Sequence, residues 1–130
     1  MKYNDLISLT NFVNAYLNSG ENSKASVKLV KIWDKLKHHL DEYNELIADL
    51  RLDHASVDGN GNLVVDKDSN YMFSKDGAKK LRQAVTGLGN YELSNFSPIN
   101  IVNPDGLDKL IFLKGWVTGI EFIQQEEEIL

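Results

Sequence analysis

Apolar residues in the first fifty positions recur at spacings of three and four, the period of one helix face. Leu6, Leu9, Val13 and Tyr16 form one such stripe, flanked by Ile7, Phe12 and Leu17. The stripe predicts a helix over 4–19, capped by Asn4 or Asp5 and ended at Gly20. The connection Gly20-Glu21-Asn22 is short, so the next helix should return antiparallel. That second helix should start from a cap at Asn22 or Ser23 and run to about Asp53. Leu29, Trp33, Leu36, Leu40, Tyr43, Ile47 and Leu50 alternate spacings of four and three along it. This is a coiled-coil-like heptad seam with no proline or glycine inside. The first helix is too short to cover all of it. Its reach ends near Lys37, and the seam beyond needs another cover.

After Asp53 the pattern changes. Val57-Asp58-Gly59-Asn60-Gly61-Asn62 and Lys67-Asp68-Ser69-Asn70 are polar turn sequences. Leu63-Val64-Val65 and Tyr71-Met72-Phe73 are short apolar runs beside them, which predicts a small hairpin. Ser74 should cap a helix over 75–86 with Ala78, Leu81, Ala84 and Val85 inward, ended by Gly87 and Gly89. A strand is expected within 91–102, broken near Pro98. A short helix is expected over 105–113, with Asn103 as cap and Pro104 at its first position. The stretch 116–123 reads as strand in preference to helix, with Trp116, Thr118, Ile120 and Phe122 on one face. The tail 124–130 carries Glu126, Glu127 and Glu128 and should fray. No internal repeat is evident. The expected fold is a single α+β domain over 1–130. A helical hairpin fills 1–54. A small, mostly antiparallel sheet with one or two short helices fills 55–123, and an acidic tail follows.

Composition narrows the function classes. An apolar fraction of 42% and a charged fraction of 25% over 130 residues suit a globular chain with its own core. With no cysteine there is no disulfide, thiol nucleophile or zinc knuckle. No apolar run approaches the roughly 18 residues of a membrane span, and the first residues do not read as an export signal. The expected place is the cytoplasm. A net charge of −5 opposes general nucleic-acid binding.

Candidate chemistry is sparse. Asp58, Asn60 and Asn62 occupy the first, third and fifth places of a calcium loop. The sixth and twelfth places hold Leu63 and Ser69, where such a loop needs glycine and glutamate, so a plain turn is expected. His38 has Asp34 and Glu42 one turn away, but zinc needs a third protein ligand. His38, His39 and His54 therefore read as solvated side chains. There is no nucleophile elbow and no phosphate loop, and Gly87-Leu88-Gly89 follows a helix where a dinucleotide fingerprint would precede one. No catalytic residue, metal or cofactor is expected, and the chain reads as a non-enzyme.

The second helix is charge-split. Lys24, Lys28, Lys31, Lys35 and Lys37 face only Asp34 in its first half. Asp41, Glu42, Glu45, Asp49 and Asp53 face only Arg51 in its second. This polarity opposes the helix dipole. Three readings stand. The charges form a solvated face. Or two such helices pair antiparallel, as a homo-dimer or a tetramer built from one, burying Trp33, Leu36, Leu40, Tyr43, Ile47 and Leu50. Or Ser23, Lys24, Ser26, Lys28 and Lys31 hold a phosphate-bearing small molecule at the helix start.

In layout, residues 5–102 resemble a family of short, uncharacterised tailed-phage proteins. The resemblance lies in the helix opening Ser23-Lys24-Ala25-Ser26-Val27-Lys28-Leu29 and in the Asp58–Asn62 turn that follows it. It implies a phage source, with which the lysine- and asparagine-rich usage of an AT-rich genome agrees. It supplies no function, since the family it resembles has none attached. The uncovered seam and the split charge point to a homo-oligomeric binding protein, which in a phage setting is expected in the infected bacterial cytoplasm as a host-defence inhibitor sequestering a nucleotide-like anion or a host protein. The alternative for a small phage protein is a virion or tail assembly accessory.

Overall fold

The computed structural model describes residues 1–20 and 23–123. Three α-helices carry most of it: α1 (Tyr3–Asn18), α2 (Lys24–His54) and α3 (Lys75–Gly89). Two-residue strands β1 (Ile99–Asn100) and β2 (Val117–Thr118) complete it, with two 3-10 turns between them. The helix–strand mixture is as expected. The tail 124–130 and the Glu21-Asn22 connection lie outside the described residues.

At 31 residues, α2 is about 46 Å long and is the spine of the fold. Its cap is Ser23, whose hydroxyl accepts the Ser26 N–H at 3.1 Å. The 16-residue α1 and the 15-residue α3 lie end to end along it. The α1 helix starts beside Tyr43, where the Tyr3 and Tyr43 rings lie 5.2 Å apart, and runs back toward the α2 start. The α3 helix starts beside the His54 carbonyl and ends with Gly89 against Asn4. It therefore covers the half of α2 that α1 cannot reach. Backbone bonds from Tyr3 N–H to Tyr91 O (3.1 Å) and from Leu93 N–H to Met1 O (2.8 Å) close the junction.

Several boundaries differ from expectation. The α1 cap is Lys2, not Asn4 or Asp5, and the Lys2 N–H donates to the Asp5 carboxylate at 2.9 Å. The α3 helix continues through Gly87 to Gly89. Its Ser74 cap is as read, accepting the Gly77 N–H at 2.9 Å. The region 105–113 is not an α-helix. Asp105 (φ 44°) and Gly106 (φ 98°) are left-handed, which breaks the first turn, and only 3-10 turns at Leu107–Lys109 and Ile111–Leu113 form.

The sheet is parallel, not antiparallel. Ile99 pairs with Val117 and Asn100 with Thr118. The Ile99 N–H donates to Trp116 O at 3.0 Å and the Ile101 N–H to Thr118 O at 2.9 Å. The connection between them buries Leu107 and Leu113 fully in the core. The strand expected over 116–123 is cut to two residues because Gly115 (φ 86°) and Gly119 (φ 84°) turn the chain on either side. Trp116 and Val117 are consequently both buried, against the alternation of a longer strand. Within 91–102 only Ile99–Asn100 is strand, and Glu92 makes a single bridge to Lys2.

The expected hairpin is instead a tandem pair of turns with an eight-residue repeat that the sequence reading missed. In each, an aspartate carboxylate accepts two backbone N–H groups. Asp58 accepts from Asn60 and Asn62, and Asp66 from Asp68 and Asn70, at 2.8–3.1 Å. Gly61 (φ 79°) and Ser69 (φ 64°) hold the same left-handed place. Ser56, Val64 and Met72, eight residues apart, close a cycle. The Val64 N–H donates to Ser56 O, Met72 to Val64 O, and Ser56 to Met72 O, at 2.8–3.1 Å.

Candidate functional site

Inward on α2 runs a stripe of Leu29, Ile32, Leu36 and His39, all buried. The spacing of four and three read from the sequence is offset from it. Leu29 and Leu36 belong to both, whereas Trp33, Leu40, Tyr43, Ile47 and Leu50 are half-buried against the same core. Leu36, at 2% exposure, has no surface left for a second copy.

His39 corrects the reading of solvated histidines, for it is 2% exposed. It lies three residues after Leu36 and four before Tyr43, so helical geometry carries it inward whatever its polarity. Its ring meets Phe96 edge-on at 6.1 Å, and Phe96 meets Trp116 at 5.2 Å. Nδ1 has no hydrogen-bond partner among the described residues, and the nearest Glu42 oxygen is 3.9 Å away. Burial lowers its pKa below the ordinary imidazole value. His38 adds to the shift and Glu42 opposes it. No group of three or more histidines and carboxylates could hold a metal among the described residues.

The lysine-rich half of α2 faces outward and borders two adjoining hollows. One, of about 370 Å³, lies at the helix start among Ser23, Lys24, Val27, Lys28, Lys31 and Asp105. Four of the five residues expected to hold a phosphate therefore share one surface. Ser26 does not join them, being 7% exposed with its hydroxyl 3.2 Å from that of Ser23. The Ser23 hydroxyl is engaged as the cap. Lys28 is paired, its Nζ 2.7 Å from Asp105 Oδ2 and bonded to the Asn103 carbonyl. A carboxylate thus stands where an anion would enter.

The second hollow, of about 210 Å³, lies between α2 and the segment 99–103. Lys28, Lys31 and Lys35 rim it, and Ile32, Ile99 and Ile101 give it apolar lining. Lys24, Lys31 and Lys35 have no ion-pair partner among the described residues. Sequence reasoning missed Lys35, Ile32 and the 99–103 wall. The i, i+3, i+4 and i+7 spacing of Lys28, Lys31, Ile32 and Lys35 was readable, but the wall comes from tertiary structure. A third hollow, of about 410 Å³, lies between α2 and α3, with Leu46, Asp49, Leu50 and Asp53 on one side and Ala84, Leu88 and Tyr91 on the other.

Comparison with protein-family models, curated proteins and solved structures finds no match. No helix among the described residues is long and apolar enough to cross a membrane.

Proposed function

We propose that this is a non-enzymatic binding protein that acts as a homo-oligomer and holds a carboxylate-bearing protein surface on the basic face of α2. The observation that carries this reading is the lysine rim over apolar lining made by Lys28, Lys31, Lys35, Ile32, Ile99 and Ile101. Such a rim suits a partner that presents acids around an apolar anchor. It suits a free nucleotide less, because Ser23 and Ser26 are engaged and Asp105 occupies the helix-start hollow. Within the phage setting that the sequence resemblance implies, the protein is a host-protein inhibitor of the infected cytoplasm. The long, charge-split outer face of α2 also supports the second reading, a virion or tail assembly accessory.

The test is thermal shift and calorimetry with three probes: inorganic phosphate, a cyclic dinucleotide, and an acidic peptide carrying one leucine. The peptide should bind in low salt and lose at least tenfold in affinity in Lys31→Glu/Lys35→Glu. Binding of phosphate or dinucleotide alone would replace this reading with the small-anion one. No response to any probe would remove the basic face as a binding site.

A further inference from the structure

The basic and acidic hollows stand on one line of α2. The basic one takes Lys28, Lys31, Ile32 and Lys35 from the helix, and the acidic one Leu46, Asp49, Leu50 and Asp53. Each member of the second set follows its counterpart by eighteen residues, five whole turns at 3.6 per turn. The hollows therefore open in the same direction, about 27 Å apart. Ile32 and Leu50 hold equivalent places in them. Lys31 matches Asp49, and Lys35 matches Asp53, at rim places of opposite charge. The outward stripe that joins them passes through His38, Glu42 and Glu45, all exposed. Val27 (50% exposed), Leu46 (39%) and Leu52 (47%) flank it as uncovered apolar residues.

We propose that a second copy of this chain docks antiparallel along α2, so that the basic hollow of each copy covers the acidic hollow of the other. This rests on the reading of the protein as a homo-oligomer and names the face that makes it one; the second copy is then itself the carboxylate-bearing surface on the basic hollow, and an acidic partner of another kind competes with it for that face. The pairing is isologous, with its two-fold axis crossing α2 near Leu40, so both hollow contacts form together. Lys31 and Lys35 then meet Asp49 and Glu45 of the second copy, and His38 meets its Glu42. A parallel pair would set lysine on lysine and is excluded by repulsion. The outer face forms the contact; of the apolar spacing read from the sequence, Leu50 lines the acidic hollow and Leu36 stays buried inside each copy. In the pair, each basic half lies against an acidic half. With few apolar residues at its centre, the contact should be micromolar and weaken in salt.

The experiment is complementary charge reversal, read as mass by sedimentation equilibrium at tens of micromolar, with circular dichroism reporting fold. Wild type should be a dimer in low salt. Lys31→Asp/Lys35→Asp and Asp49→Lys/Asp53→Lys should each be folded monomers. Mixed in equal amounts, they should restore a dimer. Because the chain lacks cysteine, Lys35→Cys with Glu45→Cys gives a second readout, a disulfide-linked dimer on oxidation. If either reversed variant alone keeps the dimer mass, if the mixture stays monomeric, or if the cysteines do not cross-link, this face is not the contact, and the oligomer reading stands on its own. A monomeric wild type overturns both.

Discussion

Lys28 Nζ stands 2.7 Å from Asp105 Oδ2, so the best-placed lysine of the expected anion cradle fastens one part of the fold to another. It ties α2 to the loop that leads from β1 into the 3-10 turns. The hydrogen bond and charge of Lys28 hold the Asp105 carboxyl below the usual carboxylate range, against the opposing effect of desolvation. Lys28→Met should lower the urea midpoint modestly, as expected for loss of a partly exposed pair with good geometry. Lys31→Met, with no such partner among the described residues, should stay within about 0.5 kcal/mol of wild type.

Protonation of His39 should make stability fall with acid well before the carboxylates do. The folded chain keeps this ring neutral to lower pH than the unfolded chain, whose imidazole titrates near 6.5. The unfolded state therefore binds more protons just below that pH, and stability drops as pH falls through the window. Asp66 and Asp105, both shifted down, lose their contribution only as pH falls below their ordinary value of 3.8. Melting curves from pH 7 to pH 5 should show a decline in wild type that His39→Phe largely removes.

Two glycines should respond in opposite senses to alanine. A Cβ on Gly119 would lie 2.4 Å from the Ile101 carbonyl oxygen, at a left-handed φ of 84°. Gly119→Ala should therefore destabilise by about 2–4 kcal/mol, since backbone must move. Gly87 lies inside α3 with open space around it. Gly87→Ala should stabilise by about 0.5–1 kcal/mol by helix propensity alone. Chemical denaturation of both variants gives the comparison.

Ser69 holds in the second turn the left-handed conformation that Gly61 holds in the first. Ser69→Gly should raise the melting temperature, with a gain of up to about 1 kcal/mol from relief of the side-chain strain. Gly61→Ser should lower it by a similar amount.

The same turns should not bind calcium at micromolar levels. One carboxylate oxygen each of Asp58 and Asp66 already accepts two backbone N–H groups, and neither turn gathers three acids. Calorimetry showing a micromolar site lost in Asp58→Ala would overturn this.

Elements specified by local chemistry were legible in the sequence. Apolar spacing located α1 and α2, Ser23 and Ser74 marked the starts of α2 and α3, and the left-handed Gly20 follows the end of α1. What was hidden depends on tertiary contact or on polar residues at inward places. His39 interrupts the apolar pattern of the buried stripe, so the eye moves to Trp33 and Leu40 beside it. The direction of the β1–β2 pairing is set by the buried Leu107 and Leu113 crossover, which no local pattern announces. The lysines of the candidate site were visible, but not Asp105 or the 99–103 wall that turn an open basic stripe into a partly paired, apolar-lined hollow. The eighteen-residue correspondence between the two hollows was in the sequence throughout. It became recognisable only when both proved to face outward.

The closed cycle of Ser56, Val64 and Met72 makes the turn region a counted object. Each of these amides is both linked to the next unit and linked, through it, to itself, so one bond cannot open without loosening the other two. Native-state hydrogen exchange should report the three protons as a single cooperative unit. The same closure acts on chain length. An open solenoid tolerates an added repeat at its end, but here a duplicated or deleted eight-residue unit leaves one donor and one acceptor facing the wrong neighbour. The tandem turns are thus a ring of fixed membership, delivering the chain from the end of α2 to the start of α3 at one set spacing.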